Sequence, residues 1–169
     1  MKINVLGCSG GIGQGARTSA LLVDDDVLLD AGTGIGDLSL KDLRKIRHVL
    51  LTHAHLDHIA GLPFLIDSVF DARLGDPLTV YGRHETLATL QKHIFNWEIW
   101  PDFAQLPDLH NPVIRYQTLN PGEVVDIDNR FFHAVDVRHS VPAQGYCVSG
   151  PDGVFAISGF TTTIATLWP

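Results

Sequence analysis

The most constraining feature of the sequence is a histidine-rich run that directly follows a short apolar segment. Residues 48–51 form a continuous apolar run of the buried-strand type, and four potential metal ligands follow it: His53, His55, Asp57 and His58. His53 and His55 are two residues apart, so an extended backbone projects both side chains to the same side. A polar helix cap is the alternative, but each buried imidazole would then need a partner. The pattern favours a metal site, and its ligands suit Zn²⁺, Mn²⁺ or Fe.

Around this run, strand-like and helix-like segments alternate. The segments compatible with helices are residues 38–46, 59–70 and 85–95. The strand candidates are residues 2–6, 19–23, 27–30, 48–51, 78–81, 113–119, 124–127, 131–138, 145–149 and 154–158. Hairpins mixed with strand–helix units predict an α/β sandwich rather than a purely parallel sheet.

The composition is typical of one globular domain. The 169 residues are 45% hydrophobic and 18% charged, with a net charge of −7 that argues against a broad nucleic-acid-binding surface. No apolar run approaches the roughly 20 residues of a membrane helix, and the N-terminus lacks the layout of a signal peptide. We therefore expect a soluble, cytoplasmic protein with no membrane partner, whose Cys8 and Cys147 are reduced thiols.

A glycine-rich stretch after the first strand candidate invites a different interpretation. Gly11, Gly13 and Ala16 match the dinucleotide-binding fingerprint, with Asp30 near the distance expected for a ribose-binding acid. The fingerprint requires a helix to begin inside the glycine loop, whereas residues 19–30 have a hairpin pattern. A glycine-rich turn is the preferred interpretation, and no nucleotide cofactor is expected.

The run His53-x-His55-x-Asp57-His58 resembles the signature of the metallo-β-lactamase-fold hydrolases. Its surroundings are similar to the phosphodiesterase branch, which includes the class II 3′,5′-cyclic-nucleotide phosphodiesterases. Residues 7–11 resemble the opening loop, residues 29–34 the Asp-x-Gly turn, and residues 139–146 the segment with the third histidine. The resemblance implies a single α/β domain over residues 1–169, an αββα sandwich.

The resemblance also implies roles for individual residues. His53, His55 and His139 would form the first metal site, and Asp57 and His58 would serve the second and act as the catalytic residues. In the family the metals activate a water molecule that attacks a phosphodiester, and Asp57 would also accept or shuttle the proton. Two further residues, Thr52 and Asp30, are candidates for orienting the imidazoles.

Two departures from the family pattern concern the second metal position. Phe160 stands where the family has an aspartate that bridges the metals, and no histidine follows His139 before the chain ends at Pro169. We expect at most one tightly bound metal, zinc first and manganese or iron otherwise, with reduced or absent catalysis. We also expect an incomplete C-terminal part of the second half of the sandwich, with exposed apolar surface that favours a homo-oligomer.

The expected function is therefore a metal-dependent phosphodiesterase acting on cyclic nucleotides or similar small phosphodiesters, with no nucleic-acid polymer as partner. A catalytically inactive remnant of the fold, with or without metal, is one alternative. A lactonase or thioesterase and an RNA-processing nuclease of the same superfamily are the others, and the acidic charge disfavours the nuclease.

An aromatic segment and several scattered histidines lie outside this motif. Residues 95–103 are interpreted either as a satellite hydrophobic cluster or as a lid or dimer patch beside the metal site. The histidines outside the motif are interpreted as surface or structural residues: His84, His93, His110 and His133.

Overall fold

The computed structural model describes residues 1–159, and its larger sheet contains six strands. In sheet order these are β1 (Ile3–Gly7), β2 (Ala20–Val23), β3 (Val27–Leu29), β4 (His48–Leu50), β5 (Leu78–Gly82) and β6 (Ile114–Thr118). The first three strands pair antiparallel, and β3 to β6 pair in parallel. Because β2 pairs antiparallel with both β1 and β3, a hairpin rather than a crossover helix follows the glycine-rich loop, as the pattern of residues 19–30 predicts.

The second sheet has four antiparallel strands in the order β10-β9-β8-β7. These strands are β7 (Val124–Ile127), β8 (Arg130–Val137), β9 (Ala143–Gly150) and β10 (Gly153–Ile157). Asp128 and Asn129 form the turn between β7 and β8, and both have positive φ, as a two-residue hairpin loop requires.

Four short α-helices complete the described part of the chain. They are α1 (Leu40–Leu43), α2 (Leu56–Ile59), α3 (Leu62–Ser68) and α4 (His84–His93), with 3₁₀ helices at Thr33–Asp37 and Phe70–Arg73. The helix expected over residues 38–46 is only one turn long, and that expected over residues 59–70 begins at Leu62, after Gly61. Gly61 has no room for a side chain, because a Cβ there would overlap the carbonyl oxygen of Gly32 and the side chain of Ile35.

Alternating side chains of the first sheet divide the core into two layers. Leu22, Leu28 and Val49 face the helices, whereas Leu29 and Leu50 pack against Phe132, Tyr146 and Val148 of the second sheet. Because these strands are buried on both faces, their sequences are continuous apolar runs. The α/β sandwich predicted from the sequence is confirmed, and within residues 1–159 the helices cover one face of the first sheet.

The aromatic segment is part of this core. Phe95 and Phe103 are buried in the cluster on the helix side, so its interpretation as a satellite cluster is wrong. The segment fills the space beside α3, where Trp100 contacts Phe64 edge-on, and leaves Trp97 and Ile99 exposed. Across residues 1–159, no helix has the length and apolar character needed to cross a bilayer.

An ion-pair cluster joins the two sheets at the end opposite the histidines. Arg130, at the start of β8, donates to Asp26 over 2.7 Å and to Asp24 over 3.0 Å, and both acids lie in the β2–β3 turn. The Arg130 side chain is only 8% exposed, so these carboxylates are needed to stabilise its buried positive charge.

Replacing Arg130 with alanine should destabilise the fold, because Asp24 and Asp26 would face each other without a cation. We expect a loss of about 2 kcal/mol in the free energy of unfolding, less than for a fully buried pair because Asp24 is 37% exposed. Urea unfolding measures this change. Arg115→Ala, at an exposed position on β6, should change the free energy by less than about 0.5 kcal/mol, and equal losses would contradict the role of Arg130.

Candidate metal centre

The candidate centre lies at the carboxyl ends of the parallel strands of the first sheet. Asp30 follows β3, the segment 52–58 follows β4, and Arg83 follows β5. Since β3, β4 and β5 are parallel, these segments meet at one edge of the sheet, the usual place for a site in a parallel sheet. Gly32 allows the loop after β3 to approach α2, because a Cβ there would overlap the carbonyl oxygen of Asp57.

His139 reaches this edge from the second sheet, on the loop between β8 and β9. Two hydrogen bonds dock β9 onto the end of β4. The Gln144 N–H donates to the Thr52 carbonyl over 2.9 Å, and the buried Tyr146 hydroxyl donates to the Leu51 carbonyl over 2.8 Å. These bonds fix the His139 loop relative to His53.

Three imidazole nitrogens converge at this point. Nδ1 of His55 lies 3.1 Å from Nε2 of His53 and 3.2 Å from Nε2 of His139, and all three nitrogens lie within 4.8 Å of one another. Tetrahedral coordination with Zn–N bonds of about 2.0–2.1 Å places neighbouring nitrogens about 3.3 Å apart. The spacing and the donor type therefore fit one zinc-sized cation with an open fourth position.

A buried hydrogen-bond network orients the rings. Asp30 is fully buried and accepts from the backbone N–H and the hydroxyl of Thr52, over 2.8 and 3.0 Å. The single hydroxyl proton of Thr52 goes to this carboxylate, so Thr52 accepts from Nδ1–H of His53 over 3.0 Å. This assignment leaves Nε2 of His53 with a lone pair facing the other two rings. Thr52 and Asp30 thus contact the imidazoles of His53 and His58, and their role in orienting metal ligands stays a prediction.

The cluster favours neutral rings at its centre. Burial, together with the neighbouring His58, His139 and His55, lowers the pKa of His53 to about 3. Burial and the same kind of neighbours also lower the pKa of His139. A neutral imidazole is the form that binds a metal, so these two rings need lose no proton on binding a cation at neutral pH.

Asp57 and His58 lie beside the three-histidine cluster rather than within it. Nδ1 of His58 is 2.6 Å from Asp30, and its Nε2 is 3.4 Å from the Asp57 carboxylate. Burial opposes protonation of His58, but the hydrogen bond and charge of Asp30 outweigh it and raise its pKa. His58 borders a cavity of about 270 Å³ that is also lined by Cys8 and Ser19. Phe160, which the sequence placed at the bridging position, lies outside the described residues.

Arg83 was missed by the sequence reasoning. Its Nη1 donates to the Asp136 carboxylate over 2.8 Å and to the Ala143 carbonyl over 3.1 Å. These acceptors lie on either side of the loop that carries His139. The only sequence signal was an arginine directly after a buried strand, a position shared with the other site segments.

Comparisons with known proteins agree with this geometry. The family model for class-II cAMP phosphodiesterases matches residues 40–149, more than half of the chain. The chain belongs to the class-II cAMP phosphodiesterase family. The predicted resemblance is thereby confirmed, and the matched region contains the complete histidine motif and His139.

Two curated relatives differ in their activities. The 3′,5′-cyclic-nucleotide phosphodiesterase 1 of Saccharomyces cerevisiae is 39% identical over 99 residues, 54% of this chain and 26% of that protein. The ribonuclease Z of Clostridium beijerinckii is 29% identical over 156 residues, 87% of this chain and 48% of that protein. This chain therefore matches about half of the length of the ribonuclease Z and about a quarter of the length of the yeast phosphodiesterase.

Solved structures confirm the metallo-β-lactamase fold. Unliganded yeast PDE1 superposes with a TM-score of 0.74 at 21% identity, covering 93% of this chain and 64% of its own. The metallo-β-lactamase-fold protein YhfI of Bacillus subtilis gives 0.68 at 18% identity, with coverages of 91% and 59%. Zn²⁺-bound PqqB of Methylobacterium extorquens gives 0.63 at 19% identity, with coverages of 92% and 64%.

Replacing Asp30 with asparagine tests the orienting network. An amide presents N–H donors where Thr52 and His58 also donate, so the rings should lose their fixed orientation. Zinc affinity should fall about 10–100-fold, as is usual for partners of metal ligands. A chelator competition titration measures this. Asp67→Asn, at an exposed position on α3, is the control, and equal zinc affinity in both variants would contradict the network.

Replacing Arg83 with alanine tests the attachment of the His139 loop. We expect zinc affinity to fall about tenfold, whereas the free energy of unfolding should change by less than about 1 kcal/mol because Asp136 is 68% exposed. Arg83→Lys keeps one donor and should recover part of the affinity. Parallel chelator titrations and urea unfolding separate the two effects, and a loss of stability without a loss of zinc affinity would refute this role.

Proposed function

We propose that this chain is a metal-dependent phosphodiesterase acting on cyclic nucleotides or similar small phosphodiesters, with an activity reduced by the incomplete second metal position. The observation that carries the proposal is the convergence of three imidazole nitrogens from two different sheets. His53, His55 and His139 would hold one zinc ion, with manganese or iron as alternatives. Asp57 and His58 would provide only two ligand atoms for a second metal ion. For this reason, at most one metal ion is expected to bind tightly.

Different residues have different roles in the proposed reaction. A bound divalent ion would lower the pKa of water and neutralise charge on the phosphate. Asp57, whose side chain is 24% exposed, would accept the proton of the attacking water. Asp30 and Thr52 hold His58 and His53 in place, so that the donor atoms need little reorganisation when substrate binds.

The membership of the family supports small phosphodiesters as substrates. The ribonuclease Z relative, which aligns with 87% of this chain, makes an RNA-processing nuclease the second candidate. The net charge of −7 favours the small substrate, because polynucleotide binding relies on a basic surface. An inactive remnant of the fold is the third candidate. A cytoplasmic location, a single domain over the whole chain and a homo-oligomeric state stay predictions.

The purified chain should bind about one zinc ion and hydrolyse bis(p-nitrophenyl) phosphate and a cyclic nucleotide at a reduced rate. His55→Ala removes the nitrogen that lies nearest both other ligands, so it should abolish turnover and tight zinc binding. Elemental analysis and a steady-state assay measure both effects. His93→Ala, at an exposed position on α4, is the matched control and should behave like the unaltered chain.

The outcomes distinguish the three candidates. Zinc binding at one equivalent without turnover of any phosphodiester would support the remnant. Turnover of a transfer-RNA precursor without turnover of small diesters would support the nuclease. Full activity in His55→Ala would refute the proposed metal centre itself.

A further inference from the structure

An exposed apolar surface lies beside the metal centre, where α2 and α3 adjoin the aromatic segment. Its large side chains are between 56% and 66% exposed, and they are Leu56, Phe64, Trp97 and Ile99. The backbone stays in the right-handed helical region between α2 and α3. Leu56, Ala60 and Phe64 are spaced four residues apart along it and therefore share one face. Trp100 joins this face to the aromatic segment, because its ring lies edge-on to Phe64 with the ring centroids 5.3 Å apart. Together these residues form the apolar patch.

Trp97 and Ile99 are held in a closed loop of the aromatic segment. The Asn96 side-chain oxygen accepts from the backbone N–H groups of Glu98 and Ile99, over 3.0 and 2.9 Å. The Trp97 N–H donates to the Trp100 carbonyl over 3.0 Å. Because the loop is already ordered by its own hydrogen bonds, a partner that binds it causes little further loss of conformational entropy.

The backbone of Trp97 is strained. Its φ is +68°, in the left-handed region that bulky residues rarely adopt. The residue is also more than half exposed, so packing within residues 1–159 compensates for this conformation only in part. Strained residues are concentrated at functional sites, which indicates that the exposed ring has a binding role.

The apolar patch has the size of a protein interface. Its exposed side chains leave about 500 Å² of largely apolar surface, whereas monomers rarely expose a contiguous patch of more than a few hundred Å². A standard interface buries about 800 Å² per partner, so the patch and its polar rim together supply the area that a stable dimer needs. Aromatic residues, which dominate the patch, are enriched at the centres of interfaces.

Charged residues of both signs surround the patch. The acids are Asp67, one turn after Phe64 on α3, and Glu98, at the tip of the loop. Lys92 lies beside the loop, because its carbonyl oxygen accepts from the Asn96 amide over 3.2 Å. A two-fold axis places the same surface of two copies face to face, so the acids of one rim can meet the lysine of the other. A nucleic acid or an anionic lipid surface would require a rim that is positive throughout.

We propose that the apolar patch is the interface of a two-fold symmetric homodimer, in which the loop of each protomer packs against α2 and α3 of the other. Leu56 directly follows His55, so the interface lies next to the metal centre but supplies no ligand to it. The dimer is independent of the proposed function, because no residue of the patch is a candidate metal ligand. It gives the expected homo-oligomer a different surface from the C-terminal part of the sandwich.

Sedimentation equilibrium of the purified chain, at concentrations of about 1–100 µM, measures the association. We expect a particle of twice the 18.5 kDa mass of the chain and a Kd below about 10 µM, since interfaces of this size bind with micromolar or higher affinity.

Two substitutions in the loop should dissociate the dimer. Trp97→Asn removes the central ring and should weaken association at least about 30-fold, as truncation of an interface tryptophan does. Asparagine adopts positive φ more readily than tryptophan, so this variant should keep its melting temperature. Ile99→Glu places a charge in the apolar contact and should leave only monomer at about 100 µM. Phe131→Glu, at an exposed aromatic position on β8, is the control and should remain dimeric.

The outcomes separate this interface from other uses of the patch. A monomer at about 100 µM in the unaltered chain would overturn the proposal. A dimer that persists in both loop variants, or that Phe131→Glu dissociates, would also overturn it. Association of a monomeric chain with phosphatidylcholine vesicles would reassign the patch to a lipid surface. Zinc binding and phosphodiester turnover, measured in Ile99→Glu, test the proposed function separately, because that variant keeps every candidate ligand.

Discussion

The candidate site depends on one buried carboxylate. Asp30 accepts hydrogen bonds from Thr52, His58 and Ser19, and it is fully removed from solvent. A buried charge is tolerated only when its acceptor sites are satisfied, so these donors must stay where they are. Asp30 also has a positive φ, a conformation that costs most residues about 1–2 kcal/mol and that aspartate adopts more readily. The network therefore fixes the ends of β3 and β4 and α2 relative to one another.

The second constraint is the docking of the two sheets. His53 and His55 come from the first sheet, but the third nitrogen comes from a hairpin loop of the second. A loop alone would hold His139 loosely, and the bond from Tyr146 to the end of β4 removes that freedom. Tyr146 is fully buried, and burial raises its pKa, so its hydroxyl stays protonated and donates. The apolar layer between the sheets and this polar contact thus both hold the second sheet, and with it His139, against the first sheet.

Local features were predictable from the sequence, and long-range ones were not. The strand and the four ligand candidates after it lie within a few residues, so spacing and apolar pattern suffice to place them. His139 is 84 residues from His55, and only the resemblance to a known family brought it to the site. Arg83 could not be found because its partners, Asp136 and the Ala143 carbonyl, lie on another sheet. Phe95 and Phe103 were misjudged, because sequence does not reveal which cluster an apolar side chain joins.

Arg83 connects the first sheet to the loop that carries the third histidine. Its Nη1 donates to the Asp136 carboxylate and to the Ala143 carbonyl, which lie on either side of that loop, and its Nε lies 3.6 Å from the Glu85 carboxylate at the start of α4. Because a guanidinium presents its N–H donors in a rigid planar fork, the contacts of Nη1 and Nε restrict one another. The loop of His139 is therefore tied to the end of β5 by a single side chain, in addition to the docking of the two sheets.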